Sequence, residues 1–338
     1  MAQSSDELIK REIADKVGSV RDDLQLRVFP SGSNKDQELF SEGGLTFGVQ
    51  GVSYGSCDAA WSTKSTWIDK FDNKTYQISP VLALEGTNAL NTGSGGNAQY
   101  QRFHHALGAV RNGITGVYYL RRGKQKIRPE LHGMAVAASL IEGSPYIVTD
   151  DLGLVSALLQ HGKDDKKFKT VVDAALKESK KIFDSYFENH FGDWETFAKK
   201  RSTILLDDIA IKHAGRMKRN FTDSSQRAGH IAVGEMYLTK FLFPNHKVKY
   251  LWPRMSAKDV EDLDSRKASD KEWALLRSES RVEIITRDDL RGLEKSIHNK
   301  LHRLRDQPLK GAAVSEYNDI ALSIQVGLES GKYKIDVG

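Results

Sequence analysis

Cysteine is the scarcest residue type in this chain of 338 residues, and Cys57 is its single example. A lone cysteine excludes an internal disulfide and any zinc site built from cysteines. Because proteins without disulfides are typical of reducing compartments, we expect the protein to be cytoplasmic.

Long apolar runs are missing as well. No uninterrupted hydrophobic stretch approaches the roughly 20 residues that a membrane-spanning helix needs. The first residues, MAQSSDELIKREIADK, are polar and charged, unlike the apolar segment of a secretory signal. With 39% hydrophobic and 28% charged residues, the composition is that of a folded globular protein, and we expect no membrane partner.

Positive charge exceeds negative charge only slightly, since 50 Lys and Arg residues face 45 Asp and Glu residues and the net charge is +5. The distribution is more informative than the sum. The segment 121–128, RRGKQKIR, holds five cations and no acid, and residues 199–227 form a second basic region. Such clusters can neutralise the phosphates of a nucleic acid. A solvated basic surface is the alternative for either cluster.

The apolar patterns between residues 20 and 150 predict strands that alternate with helices, which is typical of an α/β core. The stretch 75–85, TYQISPVLALE, ends in a continuous apolar run and predicts a strand buried on both faces. Residues 129–142 predict a helix. We therefore assign residues 1–162 to an α/β core.

From about residue 163 the apolar spacing becomes mostly helical. One strand is predicted at 247–252, and a helix is predicted to open at Thr286 on a Ser/Thr-x-x-acid cap. We expect residues 163–338 to be a mostly helical region that serves DNA binding or dimerisation. The two parts can still pack into one domain.

One acidic residue is isolated among uncharged neighbours. Within residues 75–101 the only charged side chain is Glu85, at the end of the predicted apolar strand. A carboxylate there needs a cation, a metal or hydrogen-bond donors. Upstream, Asp58 follows the glycine-rich stretch GVSYGSCDAA. Acids on two successive strands can present paired oxygens to a hard ion such as Mg²⁺. The alternative for each is an exposed carboxylate at a strand end.

An aspartate after a glycine-rich turn, a hairpin of some 25 residues and an apolar strand ending in glutamate together resemble the core of the PD-(D/E)xK nucleases. EcoRI-like type II restriction endonucleases are the group that the pattern resembles most. The helix predicted after residue 97 and the strand GVYYL at 116–120 continue the resemblance, which covers about residues 40–125. It implies a mixed central sheet flanked by helices, and Mg²⁺-dependent cleavage of double-stranded DNA with Asp58 and Glu85 as metal ligands.

The chain departs from this family at one position. Where the family has Glu-x-Lys, the sequence reads Glu85-Gly86-Thr87, and threonine cannot carry the charge of the lysine that helps to activate the attacking water. Three interpretations follow: two metal ions dispense with the lysine, the scaffold is catalytically inactive, or a cation comes from elsewhere. The candidate cations are Lys64, Lys74, Arg102 and Lys124.

The resemblance also implies roles for other side chains. Lys64 joins Asp58 and Glu85 as a catalytic residue, and Gln101 or Gln99 orients the attacking water. Basic side chains grip the DNA backbone and set its register. They are Arg102, Arg121, Arg122, Lys124, Lys126, Arg216, Lys218 and Arg219. A palindromic target favours a homodimer, because two-fold protein symmetry matches two-fold DNA symmetry.

Two other functions are compatible with the sequence. The missing lysine favours a non-catalytic DNA-binding protein on a degenerate nuclease scaffold. The loop 91–97, NTGSGGN, can present backbone N–H groups to the phosphate of a nucleotide, although it lacks the P-loop lysine and the GxGxxG spacing. His104 and His105 are adjacent on a predicted helix and project about 100° apart, so they cannot easily share one metal ion.

Overall fold

The computed structural model of the chain describes residues 5–30, 44–49, 52–63, 67–68, 75–76, 80–91, 98–193, 196, 203–213, 227–265, 283–305 and 311–336. The chain divides into two compact units, Met1–Tyr186 and Phe187–Gly338. Both units combine helices with sheets, so the mixed α/β class expected from the sequence is confirmed. Among the described helices, none is both long and apolar enough to cross a membrane.

The first unit is built on a five-stranded sheet. The described helices of this unit are α1 (Ser5–Val17), α2 (Phe103–Arg111), α3 (Pro129–Glu142), α4 (Leu152–Leu159) and the first part of α5 (Lys166–His190). The described strands are β1 (Leu24–Val28), β2 (Thr46–Val49), β3 (Val52–Ser56), β4 (Ala59–Thr63), β5 (Trp67–Ile68), β6 (Thr75–Tyr76), β7 (Pro80–Thr87), β8 (Thr115–Leu120) and β9 (Tyr146–Thr149).

The strand order in this sheet is β1-β4-β7-β8-β9, and the sheet is mixed. β4 pairs antiparallel with β1 and β7, whereas β8 lies parallel to β7 and β9. The antiparallel pairing places the beginning of β4 beside the end of β7. Asp58 precedes β4 and Glu85 lies near the end of β7, so the topology brings these two acids to one place.

The two faces of the sheet pack against different helices. Successive side chains of a strand point to opposite faces. Leu84 of β7 belongs to a core that includes Ile9 and Ile13 of α1. Ala83 belongs to a core on the other face that includes Ala109 of α2. Glu85 lies two residues after Ala83, so its side chain points to the same face of the sheet and therefore towards α2.

The helix predicted at 129–142 is confirmed with the same bounds. Pro129 stands in its first turn, where the missing N–H costs nothing, and Gly143 ends it with a φ of 71°, which favours glycine. The next helix, α4, is capped by Asp151, whose carboxylate accepts the N–H of Gly153 at 2.8 Å.

The division between the two units lies later than the boundary near residue 162. Phe168 and Val172, at the beginning of α5, are buried in the same core as Ile9 of α1. The first part of α5 therefore packs on the first unit.

The second unit contains a four-stranded sheet of order β10-β11-β12-β13. Its strands are β10 (Thr203–Leu206), β11 (Ile209–His213), β12 (Lys247–Trp252) and β13 (Glu283–Thr286). β10 is antiparallel to β11, and the other pairs are parallel. The further described elements are α6 (Arg227–Leu242), α7 (Ala257–Ser265), α8 (Lys295–Leu304) and α9 (Ala312–Glu329), with the pair β14 (Leu290–Arg291) and β15 (Lys334–Ile335).

Two expectations for the second half are corrected. Periodicity predicts one strand there, at 247–252, but β10, β11 and β13 accompany it; each is only four or five residues long, too short for a clear period. Thr286 does form a capping box with Asp289, but it caps a single 3₁₀ turn. The helix itself begins at Lys295. A capping box marks the start of a turn and does not set how far that turn continues.

Candidate active site at the ends of β4 and β7

Asp58 and Glu85 lie at neighbouring strand ends. The backbone N–H of Asp58 donates to the carbonyl of Leu84 at 3.0 Å. The N–H of Gly86 in turn donates to Asp58 Oδ2 at 2.8 Å. The Asp58 carboxylate is therefore fixed against the residue that follows Glu85. Both acids are buried, with 6% and 1% of their surfaces exposed.

A lysine from α1 contacts Asp58. Lys10 Nζ lies 3.1 Å from Asp58 Oδ1 and 3.0 Å from Asp6 Oδ2, and the Lys10 side chain is only 1% exposed. A buried ammonium needs opposite charges close by. Asp58 and Asp6, one helical turn before Lys10, supply them. The helix thus brings a cation to a site whose Glu-x-Lys position holds threonine.

α1 reaches the strand because Gly86 has no side chain. A Cβ at this position would lie 2.6 Å from Ile9 Cγ2 and 3.4 Å from Asp58 Oδ2. The first distance is far shorter than the ~3.5 Å at which carbon atoms begin to repel. Glycine is therefore required for this close approach, which carries Lys10 to Asp58.

Position 87, where the nuclease family has lysine, faces the opposite side of the sheet from α1. Thr87 lies two residues after Glu85, so both side chains point to the same face. The Thr87 side chain lies against the hydroxyl of Tyr118. That hydroxyl donates to the carbonyl of Gln99 at 2.8 Å. Thr87 is thus engaged in the packing beneath α2 and contributes no charge.

Glu85 is neutralised from the start of α2. Arg102 Nη1 lies 3.0 Å from Glu85 Oε1 and 3.9 Å from Asp6 Oδ1. His105 Nδ1 lies 3.1 Å from Glu85 Oε2, but the two groups are not aligned for a hydrogen bond. Within the described part of the chain, Glu85 Oε2 is therefore buried without a hydrogen-bond donor. Such an oxygen is costly to bury, and the His105 ring is the group beside it.

Burial and the neighbouring charge of Glu85 raise the pKa of Asp58 to about 7, against the opposing effect of Lys10. For His105, burial lowers the pKa, but the Glu85 carboxylate outweighs burial and the pKa lies above its ordinary value. A neighbouring negative charge disfavours ionisation of a carboxyl group. Asp58 and Glu85 are therefore electrostatically coupled.

Of the two glutamines considered for orienting water, Gln99 has its side chain fixed. Its amide nitrogen donates to the carbonyl of Lys126 at 3.2 Å, and its amide oxygen accepts the N–H of Arg128 at 2.9 Å. Gln99 thus holds the basic turn 121–128 from inside the protein. Gln101 is half-buried in the turn that precedes α2, and its role in orienting water remains a prediction.

Besides Arg102, two further predicted DNA-binding arginines have acidic partners. Arg121 Nε lies 2.9 Å from Glu12 Oε2, and Arg122 Nε lies 3.4 Å from Asp150 Oδ2. The Arg122 side chain is nevertheless 72% exposed. Since exposed pairs of this kind are weak, a phosphate can compete for these side chains.

The remaining predicted residues fall into two groups. Lys124 and Lys126 are exposed in the basic turn. The other predicted residues lie outside the described part of the chain, and they are Lys64, Lys74, Arg216, Lys218 and Arg219. Residues 92–97 of the glycine-rich loop lie outside it as well.

Sequence reasoning misses three charged residues of this site, namely Asp6, Lys10 and His105. The signal for the first two is weak, because acid and lysine four residues apart on a helix ordinarily indicate a surface ion pair. The burial of Lys10 follows from the packing of Ile9 and Ile13 on β7, which is a long-range contact. His105 follows His104 on α2, and only the structure shows that its ring lies beside Glu85.

The acids form a pair rather than a cage. Among the described residues, no group of three or more His, Cys, Asp or Glu side chains is arranged to hold a metal ion. Mg²⁺ is commonly bound through one or two carboxylates, since it retains waters and takes oxygens from substrate phosphates. Asp58 and Glu85, with the unbonded Oε2 of Glu85, fit an ion bound in that way. In the second unit, Glu235 of α6 pairs with a lysine, its Oε2 lying 2.9 Å from Lys212 Nζ.

Comparisons of the chain with family models, with curated proteins and with solved structures gave no match. The chemistry of the site therefore rests on the residues themselves.

Proposed function

We propose that the protein is a Mg²⁺-dependent endonuclease that hydrolyses DNA phosphodiester bonds at a specific sequence, as type II restriction enzymes do. The observation that carries this proposal is the buried pair Asp58 and Glu85 at adjacent strand ends, with Lys10 Nζ 3.1 Å from the first. Two carboxylates and a lysine are the groups that the resemblance to PD-(D/E)xK nucleases requires. Here the lysine comes from a helix.

Asp58 and Glu85 would hold the Mg²⁺ ion. The fit is supported by Glu85 Oε2, a buried carboxylate oxygen that makes no aligned hydrogen bond among the described residues and has the His105 ring beside it. When bound, the ion lowers the pKa of a water molecule and neutralises charge that develops on the scissile phosphate.

Lys10 takes the role of the family's lysine, because position 87 holds threonine. Its ammonium is held beside Asp58 by Asp6 and by the packing of α1, so it is already oriented before substrate arrives. A fixed charge in a water-poor site stabilises developing negative charge more strongly than the same charge would in water. Lys10 would therefore stabilise the attacking hydroxide and the charged phosphate.

The basic turn 121–128 would grip the DNA backbone. The N–H of Arg121 donates to the carbonyl of Thr87 at 2.9 Å, which fixes the start of the turn to the end of β7. Arg122, Lys124 and Lys126 project their charges from this position. Contacts of this type set the register of DNA without reading its sequence. A palindromic target would be met by a homodimer.

Cleavage of DNA tests the proposal. Purified protein is incubated with unmethylated phage DNA and Mg²⁺, beside Asp58→Ala, Glu85→Ala and, as a matched control, Asp22→Ala, whose side chain is exposed. We expect discrete fragments with the wild type and the control. Both site variants should lose at least 10³-fold in rate, and EDTA should abolish cutting. Equal cutting by either site variant would contradict the proposal.

A non-catalytic DNA-binding protein is the second candidate. The observation in its favour is that Lys10 and Arg102 already neutralise the two carboxylates without any metal. This candidate predicts no cutting by any variant, together with salt-sensitive DNA binding that Asp58→Ala and Glu85→Ala retain.

A further inference from the structure

Arg102 stands between solvent and the buried acid Glu85. Its side chain is 45% exposed, whereas that of Glu85 is 1% exposed. One nitrogen, Nη1, serves Glu85 Oε1 and lies near Asp6 Oδ1. Within the described part of the chain these are the acids that it contacts, and a guanidinium has five N–H donors. Arg102 therefore has donors to spare at the solvent boundary of the site.

Arg102 and a divalent cation compete for the same carboxylate. A buried carboxylate needs compensating charge or hydrogen bonds. In the metal-free protein the Arg102 guanidinium supplies a full positive charge at Glu85 Oε1, and the His105 ring lies beside Oε2. An ion bound through Glu85 would lie beside Arg102, whose Nη1 is 3.0 Å from Glu85 Oε1. The positive charges of the ion and the guanidinium repel each other strongly at such short range in a buried site. Metal binding is thus opposed while Arg102 stays on Glu85.

A phosphate offers Arg102 a better partner than the single oxygen it now contacts. Guanidinium groups bind phosphate oxygens in a bidentate manner, with two parallel hydrogen bonds. The side chain is exposed enough to turn towards a DNA backbone held by the turn 121–128. Its departure would release Glu85 Oε1 to the metal.

We propose that Arg102 is a counter-ion gate that excludes the divalent cation from Glu85 until a DNA phosphate draws the guanidinium away. This inference rests on the proposed metal site at Asp58 and Glu85. Its consequence is that metal and DNA bind with positive coupling, each raising the affinity for the other by the same factor.

Calcium binding without turnover tests the gate. The affinity of the DNA-free protein for Ca²⁺ is measured by titration calorimetry for the wild type, Arg102→Gln and Glu85→Gln. The matched control is Arg21→Gln, whose guanidinium pairs with Asp23 outside the site. We expect Arg102→Gln to bind Ca²⁺ at least tenfold more tightly than the wild type and the control, and Glu85→Gln to abolish binding. In the wild type, Ca²⁺ at constant ionic strength should tighten binding to a duplex at least tenfold. In Arg102→Gln that coupling should shrink.

The outcomes separate the gate from the metal site. Equal Ca²⁺ affinity in Arg102→Gln and wild type, with loss in Glu85→Gln, would overturn the gate and leave the metal site standing. No Ca²⁺ binding by any variant, with or without DNA, would overturn both. Circular dichroism checks that each variant is folded. Arg102→Lys keeps the positive charge but loses the planar guanidinium with its paired N–H donors. Its Ca²⁺ affinity should therefore lie between those of the wild type and Arg102→Gln.

Discussion

A lysine on a helix can replace a lysine on a strand when either side chain would bring its ammonium group to the same carboxylate. Lys10 approaches Asp58 from the α1 side of the sheet, and a lysine at position 87 would approach from the α2 side. The sequence reveals that position 87 lacks the charge. It does not reveal the substitute, because Lys10 and Asp58 are 48 residues apart and meet only through the packing of α1.

Relocating the lysine tests this exchange. Lys10→Met should lower the cleavage rate at least 10²-fold, because it removes a preorganised charge. Adding Thr87→Lys to that variant should restore at least a tenfold gain over Lys10→Met alone. The rates are measured under single-turnover conditions.

Lys16→Met is the control, since Lys16 lies on the same helix but is 60% exposed and pairs with Glu12. An undiminished rate in a folded Lys10→Met protein would show that the lysine has no part in the reaction.

Asp58 should make stability depend on pH in the metal-free protein. Its pKa is raised to about 7 in the folded state, against about 3.9 in an unfolded chain. Folding therefore favours the protonated form, so the contribution is fully present below about pH 4 and is lost as pH rises through about 7. Urea denaturation of wild type and Asp58→Asn at pH 5 and pH 8 measures the loss. The wild type should lose more stability than the variant, and parallel behaviour of the two would contradict the prediction.

At the scale of elements, the docking of α1 on β7 positions the site. Gly86→Ala should push the helix away, because the new Cβ would lie 2.6 Å from Ile9 Cγ2. We expect a loss of about 1–3 kcal/mol in the free energy of unfolding and a reduced cleavage rate. Gly162→Ala is the matched control, since a Cβ at that position would have no atom within 4 Å. Unchanged stability and rate in Gly86→Ala would refute the role of this contact.

The turn 121–128 is a second element whose position depends on one buried side chain. Gln99→Leu removes both hydrogen bonds that hold Lys126 and Arg128. DNA affinity should fall about tenfold and the salt dependence of binding should become less steep, since fewer phosphates are neutralised together.

Fluorescence anisotropy at several salt concentrations measures both effects, with Gln160→Leu, an exposed position, as the control. A loss of affinity with an unchanged salt slope would argue against this role of Gln99.

Elements with a strong local signal could be predicted from the sequence. The bounds of α3 are predicted correctly, and the predicted strand segment 116–120 lies within β8. The strand predicted at 75–85 is only partly correct, because β7 runs from Pro80 to Thr87 and residues 75–76 form β6, which pairs with β5. Two features depend on distant partners and could not be found. One is the parallel pairing of the short strand β11 with β12, some 38 residues further along the chain. The other is the burial of Lys10, whose spacing from Asp6 is that of an ordinary surface pair.

At the scale of the whole molecule, each unit has its own hydrophobic core. Asp58, Glu85, Lys10 and Arg102 all belong to the first unit. The second unit has a different sheet and buries its own ion pair, Lys212 with Glu235. The four side chains that carry the chemistry we propose therefore all lie in the first unit.

Iron-directed cleavage of the polypeptide tests the central claim most directly, because it locates the bound ion. Fe²⁺ is exchanged for Mg²⁺ in the presence of duplex DNA, and ascorbate with peroxide then generates radicals that cut the backbone next to the ion. We predict fragments that end near Asp58 and near Glu85, and their loss when excess Mg²⁺ competes or when Glu85 is changed to Gln. Cuts confined to other parts of the chain, or none that Mg²⁺ suppresses, would contradict a metal site at these two strand ends.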